Sequence, residues 1–169
     1  MKRAILIFVT ATFVISCSDL FVDNQYKRKE AEQEIRVLYK YGFKSEVNTF
    51  NKTLTKDLVW DGTVTIDFWF QPEEQKKIIE KIDEIDFWSL RDTLNQNPED
   101  SIRVEVSPNP GIQTLKIEYE KKTKAVYWYV VNDYPAEYNR LLKLTKTLKE
   151  IVNNDPEYKN LPPARGGYN

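Results

Sequence analysis

Runs of alternating apolar and polar residues, each closed by a turn signal, constrain this chain more than any other feature. Ile102, Val104 and Val106 alternate with Arg103, Glu105 and Ser107, Pro108-Asn109-Pro110-Gly111 follows, and Leu115, Ile117 and Tyr119 return as the expected partner strand. A period of two places the apolar set on one face of a pleated strand, so each run needs a covering layer on that face alone. Ile35, Val37, Tyr39, Tyr41 and Phe43 read the same way against Arg36, Lys40 and Lys44, although a helix ending at Gly42 would also align Ala31, Ile35 and Leu38. One extended segment is expected over about Val47 to Thr55. After the Asp61-Gly62 turn, Val64, Ile66, Phe68 and Phe70 point one way and Thr65, Asp67 and Trp69 the other. Ala125 to Val131 is apolar on both faces, with Val126, Trp128 and Val130 against Tyr127, Tyr129 and Val131. Such a strand is either covered on both sides or displays aromatics on one.

Two stretches change period to that of a helix. Pro72 opens the first, with Glu73 and Glu74 in the turn where the helix dipole favours carboxylates and Ile78, Ile79, Ile82 and Ile85 as its stripe. Phe87, Trp88 and Leu90 close that unit onto the core, and Asp83-Glu84 with Asp86 reads as a solvated helix end. Pro135 starts the second, whose stripe is Tyr138, Leu141, Leu142, Leu144, Leu148, Ile151 and Val152, and Asn153-Asn154-Asp155-Pro156 stops it. The order is β-β-β-α-β-β-β-α. Short turns between consecutive strands favour an α+β fold, an antiparallel sheet of about five or six strands with both amphipathic helices on one face. Residues 157–168 read as an irregular tail.

The first 33 residues do not belong to that pattern. Lys2 and Arg3 precede an apolar run from Ala4 to Ile15, and Val14-Ile15-Ser16 leads into Cys17. Twelve residues fall short of the roughly 20 needed to cross a bilayer as a helix. The layout is that of a signal peptide over 1–16. An aliphatic residue at −3, a small one at −1 and then Cys resembles the bacterial lipobox, which implies acylation of Cys17 as the mature N-terminus. A single acyl chain anchors only marginally, so the two or three implied by that resemblance would hold firmly. Residues 17–33, polar and carrying Lys27-Arg28-Lys29-Glu30, read as a tether, and 34–169 as a single domain. The expected location is extracytoplasmic, lipid-anchored to the bacterial cell or outer membrane.

Composition removes several chemistries. Cys17 is the only cysteine, so the domain has no internal disulfide and must rest on its core. Histidine is absent, which excludes Ser-His-Asp and Cys-His arrangements and zinc sites built on His. Without Lys2 and Arg3, the 25 basic residues become 23 against 26 acidic, a net charge of −3 with no basic stripe. Nucleic acid is not an expected partner. No phosphate-binding glycine loop, Gly-x-Ser-x-Gly, Ser-x-x-Lys or calcium loop is present, and no cofactor or metal is expected.

Asn48-Thr49-Phe50 with Thr55-Lys56-Asp57, then Gln71-Pro72-Glu73-Glu74 and Glu84-Ile85-Asp86-Phe87, and last Glu157-Tyr158-Lys159, Leu161-Pro162 and Gly166-Gly167-Tyr168 occur in that order. Together they resemble a group of small bacterial lipoproteins and exported proteins of uncharacterised function. The resemblance covers about Asn48 to Tyr168 and implies a cell-envelope location, with no catalytic residue to transfer. The leading functional expectation is a non-enzymatic lipoprotein binding an envelope protein or glycan through aromatics on the helix-free sheet face: Trp69 with Trp128, or Tyr127 and Tyr129. Burial of those rings as ordinary core would remove it. A carboxylate-dependent polysaccharide hydrolase is the alternative, with Asp57, Asp61 and Asp67 near Trp60 as its acids. Such a pair must stand roughly 5–9.5 Å apart in a cleft. An immunity protein or inhibitor also fits the size and location.

Overall fold

The computed structural model describes residues 34–94, 111–129 and 136–168. The expected signal peptide, Cys17, the tether, the Ile102–Val106 strand and Val130-Val131 lie outside the described residues. Four strands open the domain: β1 (Arg36–Tyr41), β2 (Ser45–Asn48), β3 (Thr53–Val59) and β4 (Gly62–Asp67). Helix α1 (Pro72–Glu84) and a 3₁₀ turn (Phe87–Ser89) follow, then β5 (Thr93–Leu94), β6 (Ile112–Tyr119), β7 (Lys122–Tyr129), α2 (Ala136–Asn154) and the short α3 (Pro156–Lys159). The seven strands form one sheet in the order β4-β3-β2-β1-β6-β7-β5, antiparallel throughout except that β5 runs parallel to β7.

The fold is therefore α+β as expected, with one strand or two beyond the anticipated sheet. The segment Val47 to Thr55 is not one strand but two, broken by the turn over Thr49–Lys52. Asn48 Oδ1 accepts from the Asn51 N–H at 3.2 Å, a side chain standing in for the backbone in a turn, and Lys52 takes a positive φ of 56°. Thr49 turns back onto β1, where its Oγ1 accepts the Val37 N–H at 2.8 Å. Phe43 is likewise outside β1, in the Gly42–Lys44 turn, because Gly42 with φ 61° reverses the chain first. The pairing expected between Ile102–Val106 and β6 is overturned from the side of β6. Its two edges are taken by β1 and β7, over Thr114–Glu118 and Ile112–Tyr119.

Register assigns the two faces. Ile66, Leu54, Val47, Tyr39, Leu115 and Val126 form one row across the sheet, and Val37 and Ile117 the next. That face carries the core, closed by Ile78 and Ile82 of α1, Phe87, and Leu141, Leu144, Leu148 and Val152 of α2. Leu142 points away from this stripe and is exposed, while Thr145 is buried in its place, since i, i+3, i+4 spacing from Leu141 reaches 144 and 145. The opposite face holds Arg36, Leu38, Lys40, Thr55, Thr65, Lys116 and Tyr127, with no helix over it among the described residues. Pro72 at the first helical position and the Gln71 N–H to Glu74 carboxylate bond at 2.9 Å start α1.

The sheet has two distinguishable ends. The chain enters at Glu34, beside the Thr49–Lys52 turn and the start of α1, where the Ile35 N–H reaches Gln75 Oε1 at 3.3 Å. The β1–β2 and β3–β4 turns lie at the other end, about 20 Å away along the seven residues of β3.

Candidate functional site

At the far end of the sheet the C-terminal segment folds back onto β3 and its hairpin. Asp155 caps α3 through the Tyr158 N–H at 2.8 Å, and the chain then returns along the sheet. Lys56 Nζ donates to the Leu161 carbonyl at 3.4 Å and stands 4.9 Å over the Tyr158 ring. Arg165 forms a parallel bridge with Val59: its N–H donates to the Leu58 carbonyl at 3.2 Å, and its carbonyl accepts from the Trp60 N–H at 3.3 Å. Tyr168 donates its hydroxyl to Asp57 Oδ2 at 2.7 Å and stacks on Phe43 with ring centroids 3.7 Å apart. The Thr55-Lys56-Asp57 and Glu157-to-Tyr168 stretches, about a hundred residues apart in sequence, thus meet as one clasp.

The hairpin beneath the clasp is strained. Val59 adopts φ 62°, which a β-branched side chain rarely tolerates, and β3 bulges between Asp57 and Val59. Asp57 Oδ1 supports that conformation by accepting the Val59 N–H at 2.9 Å. Trp60 and Asp61 stand at the tip. Trp60 is 76% exposed, the most exposed large apolar residue described, and its indole lies over Gly166. A Cβ on Gly166 would fall inside that ring, and its φ of 87° also favours glycine. Asp61 accepts from Arg165 Nε at 2.8 Å and Nη2 at 2.6 Å, a bidentate pair. Those bonds and the guanidinium charge hold the Asp61 carboxyl below the usual carboxylate range. Desolvation and then the Asp57 carboxylate beside it push the Tyr168 hydroxyl up to about 12.

Both shifts define a pH window for the clasp. The contribution of Asp61 is complete above its ordinary value of 3.8 and is lost as pH falls through its depressed value in the fold. That of Tyr168 is complete below 10.0 and is lost as pH rises through about 12. The clasp is therefore expected to stay closed between these limits and to open at both extremes. An NMR titration of the Tyr168 ring and Trp60 indole signals checks it, with the buried Trp128 indole as the folding control. Tyr168 and Trp60 signals that move only together with Trp128 would refute the window.

The four aromatics expected on the helix-free face separate. Trp128 is 3% exposed and belongs to the core, stacked near Tyr39 at 6.4 Å and edge-on to Tyr138 at 6.2 Å, so it is not a surface ring. Its register opposite Gln113 and Leu94 puts it on the helix-covered side, one residue out of phase with the helix-free face. Tyr127, 43% exposed, is on the helix-free face beside an open cleft of about 700 Å³ along the outer edge of β7. Lys122 stands over Trp88 at 5.5 Å there, and Lys124 pairs with Asp92 at 2.8 Å. Tyr129 is half-buried near the end of β7. Trp69, 55% exposed, follows β4 at the end where the chain enters. The four rings do not form one patch.

Of the three expected acids, Asp67 stands apart from the others. Asp57 and Asp61 each hold a different part of the tail. Asp67 pairs with Thr53 while Asp57 pairs with Thr63, so Asp67 lies four residues, about 13 Å, along the hairpin from Asp57. That exceeds the spacing of paired glycosidic carboxylates. Among the described residues no cluster of three Cys, Asp or Glu is arranged to hold a metal ion. Sequence reasoning singled out Trp60 only as a neighbour of carboxylates, and the partners that fix it, Arg165 and Gly166, lie over a hundred positions away. The Asp61-Gly62 turn signal was the available sign that Trp60 is at a hairpin tip.

No family model matches this chain, and no curated protein or solved structure matches it.

Proposed function

We propose that this chain is a lipid-anchored lipoprotein of the bacterial cell envelope whose domain binds an envelope component without catalysing a reaction. Support for the anchor comes from the charged-then-apolar leader ending at Cys17 and from the resemblance to small exported lipoproteins. Support for binding comes from one observation above the others: Trp60 is 76% exposed yet held by the tail at the end of the sheet opposite the chain's entry at Glu34. Exposed tryptophans on rigid mounts bind partners at low cost in side-chain entropy, and Trp is the residue type most enriched among energetic anchors of interfaces.

The test compares the native chain with Cys17→Ala by intact mass and membrane fractionation, and maps partners with a photo-crosslinking side chain at Thr63, exposed beside the Trp60 tip. The native chain is expected to be heavier by its acyl chains and to sediment with membrane, the variant to lose both. Crosslinks to envelope material from position 63 are expected to exceed those from exposed Lys146 on α2. An unacylated native chain in the soluble fraction would sink the anchor, and equal crosslinking from the two positions would sink the binding end.

A further inference from the structure

The hairpin tip has the makings of a site for a particular chemical class. The Trp60 indole has one face against Gly166 and the other open, and its backbone N–H is tied to the Arg165 carbonyl. Beside it stands the Asp61–Arg165 pair. Asp61 uses only two of the five N–H donors of the guanidinium, and each of its own oxygens retains lone-pair capacity. A flat π-face flanked by fixed donors and acceptors matches a pyranose ring, whose axial C–H groups form a weakly positive apolar face and whose adjacent hydroxyls both donate and accept.

The surroundings favour a sugar over a protein. A stable protein interface buries about 800 Å² on each side around an apolar centre. At this end the rings of Phe43 and Tyr168 stack on one another, and Asp57, Asp61, Lys44 and Arg165 set polar groups around them. Trp60, 76% exposed against 38% for Phe43, is the most open ring at this end. We infer that Trp60, with the Asp61–Arg165 pair, forms a carbohydrate subsite that takes one pyranose unit of an envelope glycan. This inference rests on the envelope-binding reading and names the ligand class for it.

The experiment uses the full mature chain in detergent micelles with ¹⁵N-labelled tryptophan. Its four indole N–H signals, one per tryptophan, are assigned for Trp60 by Trp60→Phe. Chitotetraose and a soluble digest of peptidoglycan glycan strands are the probes. The Trp60 signal is expected to shift saturably with at least one of them while Trp128 stays in place. Trp60→Ala is expected to weaken binding by about tenfold or more, and Trp60→Phe, which keeps an aromatic face, by less. Asp61→Asn, which removes the charge but not the hydrogen-bonding shape, separates hydroxyl recognition from the fold, whose integrity the Trp128 signal reports. An unmoved Trp60 signal with both probes overturns the subsite, as does equal affinity in Trp60→Ala. Crosslinks from position 63 to protein alone, with no glycan shift, overturn it in favour of a protein partner. The Cys17→Ala chain is expected to bind the same probes, so loss of anchoring leaves this result standing and can be told apart from failure of the subsite.

Discussion

Trp128→Ala is expected to destabilise the domain by about 3–5 kcal/mol, and Tyr127→Ala, its immediate neighbour, by no more than about 0.5 kcal/mol. The contrast follows from the pleat. Trp128 faces α2 and is 3% exposed, with Tyr39 on one side and Tyr138 on the other, so truncation leaves a cavity lined by aromatic rings that cannot collapse into it. Tyr127 stands on the opposite face and is 43% exposed, so its loss empties nothing. At roughly 2–4 °C per kcal/mol for a domain of this size, Trp128→Ala should lower the melting temperature by about 6–20 °C. Thermal unfolding followed by circular dichroism checks it. A Trp128→Ala variant that melts with the parent would show that the ring does not support the core.

Gly166→Ala is expected to open the clasp while leaving the core intact. Two effects act together. Alanine at φ 87° costs about 1–2 kcal/mol, and its Cβ occupies the space of the Trp60 indole. The indole is exposed and free to swing outward, so the collision is relieved by losing the stack, without damage to the sheet. With Gly166 displaced, the adjacent Arg165 bridge and Asp61 pair lose their alignment. Trypsin, which cuts after Lys and Arg, should then release the peptide following Arg165 several times faster than in the parent, with an unchanged melting temperature of the core. Equal cleavage rates in the two proteins would show that the indole stack does not hold the tail. Gly167→Ala is the control, because a Cβ there meets nothing within contact distance.

Much of the layer architecture was legible because it depends on local periodicity. Val37, Tyr39, Leu115, Ile117 and Val126 face the core as their alternation requires, and Ile78 with Ile82 does so on α1. Reading failed where a side chain replaced backbone geometry. The residues from Thr49 to Lys52 have strand neighbours on both sides, and the hydrogen bonds of Asn48 to Asn51 and of Thr49 to Val37 hold them as a turn. Trp128 misled because a strand apolar on both faces does not say which face is covered, and that was settled by α2 and β5, which lie elsewhere in the chain. The candidate site was the least legible part. Trp60, Asp61 and Asp57 gain their meaning from Arg165, Gly166 and Tyr168, and such pairing across a hundred residues has no local signature.

The central position of β1 has a consequence for the order in which the chain can assemble. Its one edge is filled by β2, a few residues on, and its other by β6, with Arg36 and Glu118 paired across a separation of 82 residues. The β1–β4 meander precedes its partners in the chain and can zip up through local turns. It then carries an unpaired edge and an uncovered apolar face until β6, β7 and α2 have been made. Closing that long loop is an entropic cost met before its contacts are gained, which points to slow folding and a nascent half prone to sticking at the β1 edge. The domain is accordingly expected to be indivisible: a chain stopped after α1 has the greater part of one sheet but not its middle seam.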